Sequence, residues 1–140
     1  MKNTLKFFAL LFILINSSCK PQMVQTTKDA YLLKTNEQQF INKPLNDLLK
    51  EIKPEIKTGY GTNEEGLQYF AFRFRTPEQW KKNEGVWEDR VALYVYVKDP
   101  IDWQYEKRPK GKETVWTRED AKKYGKLIIT RIKVINKPKE

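Results

Sequence analysis

Histidine is absent from this chain, no serine follows Ser18, and the single cysteine is Cys19. Beyond Cys19 the sequence lacks the usual proton shuttle and two of the commonest nucleophiles, which excludes Ser-His-Asp and Cys-His catalysis. Zinc sites built from His and Cys go with them. No P-loop, Gly-x-Gly-x-x-Gly or EF-hand spacing occurs, so neither cofactor nor metal is implied. What remains is carboxylate, lysine or tyrosine chemistry. The acidic group of interest is Glu84, Glu88 and Asp89, close in sequence to Trp80 and Trp87, where paired carboxylates beside stacking aromatics would suit glycoside hydrolysis. Acidic residues beside a turn are usually just solvated, and the expectation is a protein that is not an enzyme.

A binding surface is the stronger expectation. Tyr69, Ala71, Arg73 and Arg75 alternate with Phe70, Phe72 and Phe74; Tyr94, Tyr96 and Lys98 alternate with Leu93, Val95 and Val97. Successive side chains of a strand point to opposite faces. Arg73, Arg75, Tyr94, Tyr96, Arg131 and Lys133 would then share a face opposite the apolar one, provided Ile128, Ile132 and Val134 turn inward. Tyrosines supply apolar area with a polar tip, and arginines pair bidentately with phosphate or carboxylate, which suits an acidic partner. Cross-strand support of an ordinary solvated face has the same pattern. Trp80 and Trp87, either side of Gly85, are the second candidate surface, since loop aromatics anchor protein or sugar contacts. Aromatics so placed also serve as lids over the edges of a small core.

The elements that must position these residues can be read in order. Leu45, Leu48, Leu49 and Ile52 fall at helical spacing, predicting a helix from Pro44 to about Lys53 with Phe40 or Ile41 packed over its first turn. A short strand is expected at Ile56–Tyr60, then a loop at Gly61–Gly66, then a strand at Leu67–Arg75. Thr76-Pro77-Glu78-Gln79 has the cap, proline and glutamine of a helix start, placing Trp80 on a short helical turn. Arg90–Lys98 is the next strand, Ile101–Lys112 an irregular basic stretch, and Thr117 the cap of a second short helix ending at Gly125. Leu127–Ile135 is the last strand, followed by a tail at Asn136–Glu140. Without βαβ spacing, the order predicts an α+β fold: a small antiparallel sheet of about four strands with a helix on one face.

The first nineteen residues carry an address. Lys2 and Lys6 precede the unbroken apolar run Phe7–Ile15, then Asn16-Ser17-Ser18 and Cys19. A basic start, a short apolar core and small residues before a cut describe a secretory signal. Nine apolar residues span about 14 Å as a helix, less than half a ~30 Å hydrocarbon core. Ser17, Ser18 and Cys19 resemble the lipobox of bacterial lipoproteins, with Asn16 where an aliphatic residue is usual. That resemblance implies a diacylglycerol on Cys19, cleavage before it, and an acylated amino terminus. Lys20, where inner-membrane lipoproteins of familiar systems carry an acidic residue, points by the same resemblance to the outer membrane.

The domain organisation expected is therefore 1–18 signal peptide, 19–36 lipidated cysteine and tether, and 37–140 a single α+β domain. A flexible tether of roughly 16 residues would reach about 20–25 Å, with a short strand at Ala30–Lys34. Charge is uneven: 27 Lys and Arg against 18 Asp and Glu overall, but 12 against 5 from Tyr105 onward. For an exported chain, anionic lipid, lipopolysaccharide or acidic glycan is a better-matched partner than nucleic acid, and the partner expected is a protein or an anionic component of the envelope. The function expected is a membrane-anchored envelope lipoprotein acting as a binding module. The rivals are an immunity protein that neutralises a secreted toxin and a carboxylate-based hydrolase.

Overall fold

A computed structural model describes residues 20–135, so the signal-type segment, Cys19 and the tail at 136–140 lie outside the described residues. Four antiparallel strands form the sheet: β1 Thr58–Glu64, β2 Leu67–Arg73, β3 Ala92–Val97 and β4 Ile129–Ile135, in the order β1-β2-β3-β4. Among the described residues four short α-helices accompany it: α1 Tyr31–Thr35, α2 Leu45–Leu49, α3 Pro77–Lys82 and α4 Arg118–Tyr124. The α+β expectation holds, with the sheet as a plain meander.

Period-two alternation sorts the sheet as read. Phe70, Phe72, Leu93, Val95, Val97, Ile129 and Ile132 are buried on one face, where residues 24–52 and 101–124 cover them. The covering segments also close the sheet's edges, whose free N–H and C=O groups would otherwise invite pairing with another chain. On β4, Glu37 accepts the Ile132 N–H at 2.7 Å, and Ile129 pairs with Asn42 and Lys43. On β1, Gly59 N donates to Thr114 O at 2.9 Å. Gly59 and Gly61 leave the core side of β1 bare, and Trp116 and Ile101 fill that space; a Cβ on either glycine would collide with them.

Several boundaries differ from the sequence reading. Residues 20–36 do not form a tether with a short strand. Val24 forms a parallel bridge to Ile52, a 3₁₀ turn spans Thr27–Ala30, α1 follows, and Val24, Ala30 and Leu33 are core residues. The domain thus starts near Gln22, whose side chain donates to the Lys50 carbonyl. The helix α2 is shorter than predicted because Val24 takes the backbone groups of Glu51 and Lys53 that would have continued it. Pro44 is its extended N-cap rather than its first helical residue. The strand β1 runs on through the expected loop, because Glu65 and Gly66, both at positive φ, make the two-residue turn that matches strand twist. A bulge between Tyr96 and Val97 pairs Val97 with Ile129, so Ile129 rather than Ile128 enters the core.

Candidate functional site

The outer face of the sheet is divided into an open half and a covered half. On the open half, registered pairs place Tyr69 opposite Tyr96, Tyr96 opposite Arg131, and Tyr94 opposite Lys133. The three tyrosines form a cluster: Tyr69 lies 5.6 Å from Tyr94, edge to face, and 5.2 Å from Tyr96. The Arg131 guanidinium sits 5.4 Å from the Tyr96 ring centroid, within cation–π range. These rings floor a concavity of about 390 Å³, bounded by Glu64, Glu65 and Leu67 at one end and by Lys133 and Ile135 at the other. The Tyr69 hydroxyl donates to Glu64 at 3.2 Å. Burial and the adjoining Glu64 carboxylate push the Tyr69 phenol up to about 12, so it remains a neutral donor at physiological pH.

Tyr94, Tyr96, Arg131 and Lys133 are thus brought together as the alternation implied. Arg73 and Arg75 are not with them. Both are buried at the far end of the outer face, because the chain after β2 folds back as α3 and lays Trp80 over them. That fold-back is locally encoded. The Thr76 hydroxyl accepts the Gln79 N–H at 3.1 Å while the Gln79 side chain accepts the Thr76 N–H at 2.9 Å, with Pro77 at the first helical position. The helix ends at Asn83 in the left-handed conformation.

The tryptophans separate by role. Trp103 and Trp116 stack in parallel, with centroids 6.3 Å apart, and Trp116 meets Phe72 edge-on at 4.9 Å; both cover the core margin. Trp80 stacks on cations, and Trp87 is half-buried in a 3₁₀ turn at Trp87–Arg90. The two carboxylates that follow Trp87 are occupied singly: Glu88 faces Lys28 at 3.7 Å and Asp89 accepts the Thr27 hydroxyl at 3.1 Å. Among the described residues, no three acidic side chains converge as metal ligands would.

Sequence reasoning missed Glu64, Glu65 and Leu67 as walls of the tyrosine concavity. The available signal was Glu65-Gly66 as a hairpin turn, which sets Glu64 opposite Leu67. A larger hollow of about 680 Å³ is walled by Leu49, Ile52, Pro54, Ile56 and Trp116 together with Lys53, Glu55, Thr117 and Arg118. The class defined so far is a small α+β domain with a meander sheet and one open tyrosine-lined face. Comparison with known proteins adds nothing: no family model matches the chain, and no curated protein or solved structure matches it significantly.

Proposed function

We propose that this chain is an envelope lipoprotein, anchored through Cys19, whose domain binds an acidic partner with the open half of its sheet. The observation that carries this reading is the tyrosine trio flanked by Arg131 and Lys133 across a shallow concavity. Three half-buried rings held by one another lose little side-chain entropy on binding, and the two cations supply charge complementarity and orientation. Glu64 and Glu65 stand at the opposite end, which favours a partner with its acidic group set toward β4 and an apolar or basic group toward the β1–β2 turn.

The test is Arg131→Glu with Lys133→Glu, against Lys122→Glu with Lys126→Glu, an equal charge change on exposed positions at α4. Partners are captured from envelope fractions, and binding is compared at low and high salt. The first double variant is expected to slow association and weaken binding at least tenfold, with the α4 variant near wild type. Equal behaviour of the two pairs would mean that only total charge matters. For the anchor, Cys19→Ala is expected to abolish fatty-acid labelling; labelling that persists would remove the lipoprotein reading.

A further inference from the structure

Three arginines converge where α3 and its following loop fold back over the end of β2, with little counter-charge. Arg73 is 9% exposed and Arg75 4%. Their guanidinium carbons lie 4.1 and 5.0 Å from the Trp80 ring centroid, so one indole covers both. Arg75 Nη1 donates to the Glu84 carbonyl at 3.1 Å, and Arg90 Nη2 to the Asn83 carbonyl at 3.3 Å; these are consecutive carbonyls of one loop. Among the described residues Arg73 makes no side-chain hydrogen bond, and none of the three arginines has a carboxylate within ion-pair distance. The Nε atoms of Arg73 and Arg90 are buried without a partner. Burial, with Arg90 and Arg73 as like charges, holds the Arg75 guanidinium below its ordinary value, opposed only by Asp89.

Removing a cation from water costs more, even after relaxation, than a desolvated cation–π contact returns. Stacking under Trp80 therefore leaves the group short of compensation, and an anion is the natural complement. Three guanidinium charges against Asp89 leave a local charge of about +2, which a phosphate monoester, at about −1.5 to −2 near pH 7, would neutralise. Forked guanidinium donors match phosphoryl oxygens in geometry. Trp80, 48% exposed, flanks the cluster and offers an apolar wall to whatever carries the phosphoryl group.

We propose that Arg73, Arg75 and Arg90 form a binding site for a doubly charged phosphoryl group, with Trp80 against its organic portion. The site is separate from the tyrosine face. It accepts the headgroup of an anionic phospholipid or a free phosphorylated compound, which share this chemistry.

The test uses the full chain in non-ionic detergent. Its melting temperature is followed against inorganic phosphate, with chloride at matched ionic strength as control; the Cys19→Ala chain, with detergent removed, is then compared for retention on phosphatidylcholine vesicles with and without phosphatidic acid. Saturable stabilisation by phosphate is expected, with the half-saturating concentration raised about tenfold or more in Arg73→Met and in Arg90→Gln. Arg90→Gln removes a half-buried side chain at the rim, so it reads the site even if Arg73→Met fails to fold. Arg131→Gln with Lys133→Gln should leave the phosphate response intact. Retention on phosphatidic acid vesicles in excess of that on phosphatidylcholine, which Arg90→Gln abolishes, would assign a lipid headgroup, whereas a phosphate response without that excess would assign a free compound. Absence of both responses, or a response unchanged in Arg90→Gln, would overturn the site.

Discussion

Asp120→Asn probes how the aromatic flap of residues 101–117 is held on the sheet. The Arg108 guanidinium donates to both carboxylate oxygens of Asp120, at 2.9 and 2.7 Å, and to the Val115 carbonyl at 2.9 Å. Its face lies 4.0 Å from the Trp103 ring centroid, and Trp103 stacks on Trp116. Asp120 also accepts the Thr117 N–H at 3.0 Å as part of the α4 capping box. The paired side chains are 17% and 8% exposed. Asparagine keeps the shape, deletes the charge, and turns an NH₂ toward a guanidinium N–H. Breaking a buried pair from one side costs about 3–5 kcal/mol. Arg108 keeps some water, so the low end, about 3 kcal/mol, is expected at pH 7, lowering the melting temperature by roughly 10 °C. Arg108→Met with Asp120→Leu should recover most of that loss, since an apolar replacement of the whole pair is near neutral. Burial pushes the Asp120 carboxyl up, but Arg108 and Thr117 outweigh it and hold it below the usual range. A depressed carboxyl stabilises fully above its unfolded value of about 3.9, and that stability is lost as pH falls through the lower folded value. Urea unfolding from pH 7 to 3 should therefore show an acid loss in wild type that is smaller in Asp120→Asn. A loss under about 1 kcal/mol at pH 7, or identical acid slopes, would refute this account of the pair.

Three further outcomes are expected from denaturation. Phe72→Ala removes a fully buried ring stacked on Phe70 and edge-on to Trp116, and should cost about 3–5 kcal/mol; Tyr94→Ala, on the open face, should cost clearly less, and equal losses would contradict the facing of the sheet. Leu33→Ala should cost about 2–5 kcal/mol, whereas a residue in a tether would cost nothing measurable. Gly85→Ala should cost about 1–3 kcal/mol and loosen Arg75, because Gly85 sits at φ +105° and a Cβ there would meet Arg75 Cδ at 3.1 Å; an unchanged midpoint would count against the packing of this loop.

Where local rules suffice, the sequence was a good guide. Alternation in 67–75 and 90–98 gave the correct buried faces of β2 and β3, and the capping residues Thr76 and Thr117 mark real helix starts. The misreadings share one cause, which is tertiary contact. Val24 and Leu33 show no periodicity that a window could detect, and they are core because Ile52 and β4 lie beside them. Thr130 is the extra residue of the bulge, and such an insertion shifts the inward position from Ile128 to Ile129 without leaving a mark on composition. Arg73 and Arg75 were assigned to the correct face, but alternation says nothing of what later folds over that face. A cue was present all the same: a capped helix begins one residue after Arg75 and carries an aromatic within its first turn and a half.

The corrected boundary also changes what an anchor at Cys19 would do. With packing established at Gln22 and Val24, the linker between lipid and domain shrinks from the expected 16 residues to about two, so the lipid would fix the domain's distance from the bilayer rather than merely limit it. The Thr27 hydroxyl bonds to Asp89, the neighbour of Arg90, and the eight residues from Cys19 to Thr27 cannot span more than about 28 Å. The arginine cluster would then stand within reach of headgroups of the same membrane. Its effective headgroup concentration would be set by that short span rather than by diffusion from bulk. An insertion of a flexible Gly-Ser segment after Lys20 separates the two contributions. If the cluster binds a headgroup, lengthening the linker should weaken retention of the lipidated chain's domain at the surface while leaving the phosphate response of the melting temperature unchanged. A linker that alters the phosphate response itself would show that the cluster and the anchored end are coupled through the fold rather than independent.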